Sequence, residues 1–376
     1  MPDAVSPPTR DVVVVHSSDL HLDHDYTARL HGGDGTAGLV GVLAAARSAS
    51  ADVVVLAGDT FDCHRLPDHL LERAAAVVAA APLPVVILPG NHDFHAGATD
   101  DFWKNFERPE HGRFLLLDEA RAYPLREWGI DAVLYAAPCG SKYSATHALS
   151  WLEGAERPEA KFHVGIAHGS FEGLSPDLQG NYFPMKADDL LRTRLDLWLL
   201  GHIHVPFPLK PGAGDRIFYS GTHEPDGFDC RHEGRAWLLE LQPDRSLRAE
   251  PHSTGQFRFR EVELELRSLA NLEEWAGRFR AEAARTLLKL TLRGSLPREE
   301  YARFAEVLEN IQREFFFVKA DFSALRVALS AEDIDREFSR ESFPHRLLRE
   351  LSASDPEGAA LQAAFEILRE AQGKAP

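Results

Sequence analysis

Val12-Val13-Val14-Val15-His16-Ser17-Ser18-Asp19-Leu20-His21 carries the first clear sign of the chain's architecture. Its β-branched run, Asp11 to His16, reads as a buried strand. Asp19 and His21 follow, two residues apart, so on an extended strand end their side chains point the same way. Working outward, Thr36–Ser48 reads as an Ala/Leu-rich helix, Asp52–Ala57 as a strand, Leu66–Ala80 as a helix and Pro84–Leu88 as a third strand. This βαβαβ opening predicts an α/β fold whose sheet has a parallel core covered by helices. Further strands are expected at Ala132–Ala136, Phe162–Ala167, Leu195–Leu200, Arg216–Tyr219 and Ala236–Leu241.

The polar ending of the first strand recurs. Gly58-Asp59-Thr60-Phe61-Asp62, Gly90-Asn91-His92-Asp93, Ala167-His168-Gly169 and Gly201-His202-Ile203-His204 each close a predicted strand. Open α/β sheets place ligands in the crevice beyond the carboxyl ends of their strands, so five scattered segments can converge. Together they supply the Asp, His and Asn groups needed to hold two divalent metals, which points to metal-assisted hydrolysis of a phosphate ester. Imidazole mixed with carboxylate suits Mn, Fe or Zn better than Mg, which prefers an all-oxygen shell. Mn2+ is therefore the favoured cofactor, with Fe2+, Zn2+ and Mg2+ as alternatives. Each segment alone is a weak signal; their joint occurrence in this order is a strong one.

Composition bounds the rest. The 376 residues suffice for a large domain plus a smaller one, and the net charge of −17 argues against broad electrostatic gripping of nucleic acid. Two divalent ions would add four positive charges locally, so nucleic-acid chemistry stays open. No apolar run approaches the roughly 20 residues that span a bilayer, and Met1–Arg10 lacks the apolar segment of a secretory signal. Cys63, Cys139 and Cys230 are too far apart to suggest a disulfide framework. A cytoplasmic location is expected, with residues 1–10 disordered.

Gln242–Gly255, rich in Pro, Asp, Ser and Gly, reads as a linker. Beyond it Val262/Leu264/Leu266, Leu288/Leu290/Leu292 and Val318/Ala320/Phe322 read as half-buried strands, with helical spacing between them. Phe315–Phe317 reads as part of a buried strand, with base stacking as the alternative. A tail of short helices follows, ending in an apolar stripe of Leu361, Phe365 and Leu368 that either packs back on its own domain or docks a partner. The expected organisation is 11–245, 256–325 and a tail over 331–376.

The ordered blocks Asp-x-His, Gly-Asp-x-x-Asp, Gly-Asn-His-Asp, His and Gly-His-x-His resemble those of the calcineurin-like metallophosphoesterase superfamily over about Val12–Leu241. That resemblance implies a two-sheet α/β sandwich of four layers with a small α/β capping domain and a C-terminal helical tail. It implies one metal held by Asp19, His21, Asp59 and His204, and a second held by Asp59, Asn91, His168 and His202, with Asp59 bridging. His92 matches the family's catalytic histidine, and Asp62 and Asp93 would orient His92 or the ligands. Hydroxide formed at the metal pair would attack phosphorus while His92 assists the leaving oxygen.

His16-Ser17-Ser18-Asp19-Leu20-His21-Leu22, Gly58–Asp62 and Tyr219-Ser220-Gly221-Thr222 look like the DNA-repair exonuclease branch, which contains SbcD-like nuclease subunits. The branch implies a DNA exonuclease or endonuclease, an SbcC-like coiled-coil ATPase partner for the tail, and a homodimer. His223 departs from the pattern, where a small residue is expected. Arg258, Arg260, Arg278, Arg280, Arg285 and Arg293 either form a phosphate-contacting face or extend from solvated elements. Two other readings compete: a phosphodiesterase or phosphatase for small nucleotides or lipid diphosphates, and a non-catalytic scaffold for an ATPase.

Overall fold

The computed structural model describes residues 11–23, 26–97, 101–107, 113–147, 149–175, 177–354 and 359–371; the expectation for residues 1–10 lies outside them. The chain divides into two units, Met1–Gln256 and Phe257–Pro376. The strands of the first are β1 (Val12–Ser17), β2 (Val53–Ala57), β3 (Val85–Leu88), β4 (Phe114–Leu116), β5 (Ala122–Pro124), β6 (Ala132–Ala137), β7 (Phe162–His168), β8 (Leu197–Gly201), β9 (Ile217–Tyr219), β10 (Arg235–Leu241) and β11 (Leu247–Ser253). Its helices are α1 (Tyr26–Leu30), α2 (Ala37–Ser48), α3 (Asp68–Ala79), α4 (Asp101–Glu107) and α5 (Ala187–Arg192).

One sheet runs β11-β10-β1-β2-β3-β4, the other β5-β6-β7-β8-β9. Strands β1 to β4 are mutually parallel, as are β6 to β9. Strand periodicity divides the apolar runs between two cores. Val53, Val55 and Ala57 face the other sheet, meeting Leu134, Val164 and Leu199. Val54 and Leu56 face outward onto Leu39, Val42, Leu70 and Ala74 of α2 and α3. Trp198 and Leu200 cover the far side of the second sheet beneath Leu190 and Met185. Helices, sheet, sheet and an outer α5-and-loop cover make a two-sheet, four-layer α/β sandwich. Each fully buried aliphatic contributes roughly 1.5–3 kcal/mol, so both faces of every central strand hold the strand ends in place. Leu39, Leu43 and Leu70 are core residues.

One expectation needs correction in this unit. Gln242–Gly255 is not simply a linker: Leu247–Ser253 pairs antiparallel with β10. Leu247 and Ala249 alternate with charged residues and pack half-buried on the core, but Pro251, tolerated at a sheet edge, and the flanking turn residues disguise the strand. The unusual His223 is accommodated by Gly38 of α2. A Cβ at Gly38 would lie 2.0 Å from His223 Nε2, and burial drives the imidazole pKa down to about 3, keeping it neutral.

The second unit opens with three parallel strands, β12 (Arg258–Leu266), β13 (Thr286–Leu296) and β14 (Phe317–Val327). Helices α6 (Leu269–Arg278) and α7 (Arg298–Glu314) cover one face, where Leu288, Leu290 and Leu292 meet Leu272, Phe304 and Leu308. Of the Phe315–Phe317 run only Phe315 is buried. Phe322 is 45% exposed, because the β13–β14 register shifts between Thr291 and Arg293. Helices α8 (Ala331–Glu337), α9 (Phe343–Ser354) and α10 (Ala359–Ala371) complete the unit. The α10 stripe is used internally: Leu361, Phe365 and Leu368 pack on Ile334, Phe338 and Leu348. No helix among the described residues is long and apolar enough to cross a membrane.

Candidate metal centre

The centre is assembled where β1, β2, β3, β7 and β8 end. Pairing continues beyond β1 and β2: Asp19 N donates to Gly58 O at 3.0 Å and His21 N to Asp59 O at 3.0 Å. The backbone is strained there. Asp19 (φ 53°), His21 (φ 45°), Asp59 (φ 51°) and His202 (φ 96°) are four of the eight non-glycine residues with positive φ among the described residues. Gly90 does not supply a positive-φ turn. It supplies room, since a Cβ there would lie 2.2 Å from Asp59 Oδ1 and 2.3 Å from Asp59 N.

Two groups converge side by side. Asp19, His21 and His204 bring one ligand atom each to within 4.8 Å of one another, and so do Asp59, His168 and His202. Asn91 Oδ1 joins the second, 3.0 Å from both His168 Nε2 and His202 Nδ1. Asp59 Oδ2 lies 3.2 Å from His168 Nε2 and 3.9 Å from His21 Nε2, between the two groups. His21 Nε2 and His204 Nε2 approach to 3.3 Å. All seven residues expected as ligands therefore meet in one crevice.

Surrounding bonds aim these groups. His168 Nδ1 bonds Ala57 O at 2.9 Å, which turns its Nε2 inward. His204 Nδ1 lies 2.5 Å from Asp226 Oδ2. Ser18 Oγ donates to Asp19 Oδ2 at 2.5 Å and stands 2.9 Å from Ser220 Oγ, while His202 N donates to Asp19 at 3.1 Å. The Tyr219–Thr222 block thus braces Asp19 through Ser220 and Ser18.

His92 sits beside the pair, its N–H donating to Asp59 Oδ1 at 2.8 Å. His92 Nδ1 bonds the Asp62 main-chain carbonyl at 2.9 Å, whereas the Asp62 carboxylate is 3.9 Å away and lies closer, 3.3 Å, to His21 Nδ1. Asp62 therefore orients His92 through its backbone and touches His21 through its side chain. Asp93 braces the loops instead: its Oδ1 accepts from Gly90 N at 2.6 Å and its Oδ2 from Phe61 N at 3.0 Å.

The electrostatics fit a cationic occupant. Asp19, Asp59, Asn91 and His168 are buried. Burial opposes charge on His21, yet bonding to Asp62 and the charges of Asp59 and Asp19 raise its pKa to about 9. Burial likewise opposes charge on His168, and Asp59 raises it to about 9. Desolvation would lift the Asp59 carboxyl, but His168 and His21 hold it far below the ordinary range. Buried carboxylates here draw positive charge onto imidazoles; divalent ions would supply it in place of those protons. With carboxylate and inward-facing imidazole nitrogen in both groups, and an amide oxygen from Asn91 in the second, the donor set suits a pair of divalent metals.

Asp226 and Tyr182 went unread in the sequence. Asp226 lies in an irregular turn with no local signal. Tyr182 stacks on His202 with ring centroids 5.1 Å apart, and Tyr143, 57% exposed, packs on Tyr182 at 5.4 Å. Both tyrosines lie in loops whose approach is set by tertiary packing. The arginines of the second unit are mostly engaged with acids: Arg260 with Glu282, Arg278 with Glu274, Arg280 with Glu314 and Arg293 with Glu263.

Residues 12–206, just over half of the chain, match the calcineurin-like phosphoesterase family, and the chain belongs to that family of metal-dependent phosphoester hydrolases. It is similar to the uncharacterized metallophosphoesterase YhaO of Bacillus subtilis (strain 168), 28% identical over 210 residues, or 52% of this chain and 49% of that one. It is also similar to the DNA double-strand break repair protein Mre11 of Methanopyrus kandleri, 27% identical over 197 residues, or 48% and 42% of the two chains. The chain spans about half the length of these curated relatives, or less. Among solved structures, TT1561 of Thermus thermophilus aligns with a TM-score of 0.41 at 12% identity, covering 65% of this chain and 99% of that one. The purple acid phosphatase PPD1 from yellow lupin seeds aligns at 0.39 and 14%, covering 65% and 52%.

Proposed function

We propose that the protein is a two-metal phosphodiesterase acting on DNA, as an exonuclease with endonuclease action in DNA repair. The observation that carries the two-metal reading is the convergence of Asp19/His21/His204 and Asp59/His168/His202 with Asn91, Asp59 lying between the groups. Bound there, a divalent pair would neutralise phosphoryl oxygens and lower the pKa of water; the imidazole-rich set favours Mn2+. His92 donates Nδ1–H to the Asp62 carbonyl, which leaves Nε2 to exchange a proton with the leaving oxygen. The Tyr143–Tyr182 pair beside His202 offers a stacking surface for a base. Likeness to a relative named as a DNA double-strand break repair protein supports DNA as substrate. A cytoplasmic enzyme with an SbcC-like ATPase partner and a homodimeric state complete this reading.

The second reading is a phosphodiesterase for small nucleotides or lipid diphosphates. The arginine–glutamate pairs of the second unit favour it, because paired guanidiniums grip a nucleic-acid backbone poorly. The deciding experiment digests end-labelled single- and double-stranded DNA with Mn2+, with bis-p-nitrophenyl phosphate alongside and His92→Ala as control. Shortened DNA with an inactive variant supports the nuclease. Cleavage of the small diester alone, with the cognate ATPase present, transfers the assignment to the second reading.

A further inference from the structure

A cavity of about 580 Å³ lies wholly within the second unit, between the end of β14, the start of α7, and helices α8 and α10. Its lining includes four arginines, Arg298, Arg326, Arg336 and Arg369, but three carboxylates, Asp333, Glu337 and Glu366. Those acids do not absorb the charge evenly. Asp333 Oδ1 accepts from both Arg298 (2.9 Å) and Arg336, so one carboxylate serves two guanidiniums. Its Oδ2 is already engaged by Ser330 N at 3.1 Å and Ser330 Oγ at 2.7 Å, closing the capping box of α8. Glu366 stands 3.6 Å from Arg326 Nε, and Glu337 stands 3.9 Å from Arg369 Nε. That Arg369 nitrogen is buried and has no hydrogen-bond partner.

We infer that this cleft binds a phosphate monoester of mononucleotide size. Each guanidinium carries five N–H donors and no acceptor, so the cleft is rich in donors while Asp333, its central acceptor, is saturated. The matching ligand brings several acceptor oxygens and a charge near −2, which a phosphate monoester does and a single carboxylate does not. Val327, Leu329 and Phe365 contribute an apolar wall, and the volume falls within the roughly 300–1,000 Å³ of small-molecule sites. Inorganic phosphate would leave that wall uncovered; an ester with a nucleoside-sized body covers it. The inference is independent of the substrate proposed for the metal centre.

Calorimetry on the full chain tests it, with Mn2+ bound and again after EDTA, so that binding at the metal centre is separated from binding at the cleft. After EDTA, AMP should bind one to one, and adenosine and inorganic phosphate each at least tenfold more weakly; with Mn2+ the same cleft binding should persist. Arg336→Gln and Arg369→Gln should each weaken AMP binding tenfold or more, while Arg313→Gln, paired with Glu309 on the exposed side of α7, leaves it unchanged. Melting curves check that the variants fold. If Arg336→Gln unfolds, Arg369→Gln decides, since its Nε bonds no acceptor. Absence of AMP binding after EDTA, equal binding of AMP and adenosine, or wild-type affinity in Arg369→Gln would overturn the inference.

Discussion

The candidate metal centre of the first unit and the Arg–Glu surface of the second spend their charged residues in opposite ways. The first buries Asp19, Asp59 and His168 at strand ends, partly in positive-φ backbone; Ser18 braces Asp19, Ala57 O braces His168, and Asp226 braces the neighbouring His204. The second keeps Arg278–Glu274, Arg280–Glu314 and Arg293–Glu263 exposed, each pair complete in itself. Buried charge held against its desolvation cost marks a place built for a ligand. Exposed pairs mark a solvated surface worth little to stability. The difference, more than the number of charged groups, separates chemistry from scaffold.

The comparison breaks most easily at Asp59. Asp59→Asn should lower hydrolysis of bis-p-nitrophenyl phosphate on the order of 10³-fold, because one oxygen between both groups loses its charge; near-normal turnover would leave the bridge without support. Asp93→Ala should be felt as stability, since it strands Gly90 N and Phe61 N without acceptors. A loss of about 2–4 kcal/mol by denaturant unfolding of metal-free protein is expected.

Protons sharpen the same contrast. His21 and His168 have folded pKa values raised to about 9, above the ordinary 6.5. In metal-free protein their stabilising contribution is complete below pH 6.5 and is lost as pH rises through 9. If both imidazoles hold the proposed metals, they must deprotonate to do so, and apparent metal affinity should move the other way. It should rise between pH 6.5 and 9 by about tenfold per pH unit for each proton displaced. Metal titrations across that range check the slope. Asp226→Asn should weaken metal binding roughly 10–100-fold through His204, with turnover recovered at saturating metal. At the small end, Arg280→Ala should change stability by less than about 1 kcal/mol and leave diester hydrolysis unaffected.

Much of the first unit was legible because its strands are buried on both faces and therefore read as continuous apolar runs, and because each candidate ligand follows such a run. The one-sided strands of the second unit were also legible, as alternation such as Leu288/Leu290/Leu292, whereas shallow or irregular elements were not. β11 is an exposed edge, and Phe322 is displaced by a register shift that no alternation pattern contains. His223 was read as a departure because its complement, Gly38, lies far away in sequence. Asp226 and Tyr182 reach the centre from irregular loops, so only tertiary packing reveals them.

The central claim is a centre for two ions joined at Asp59. Metal content of the purified chain after Mn2+ loading and dialysis, read together with bis-p-nitrophenyl phosphate hydrolysis in wild type and Asp59→Asn, addresses it most directly. Two ions per wild-type chain with hydrolysis, and one or none in the variant without it, is the predicted result. A single ion in the wild type, or full hydrolysis by the variant, would contradict the account.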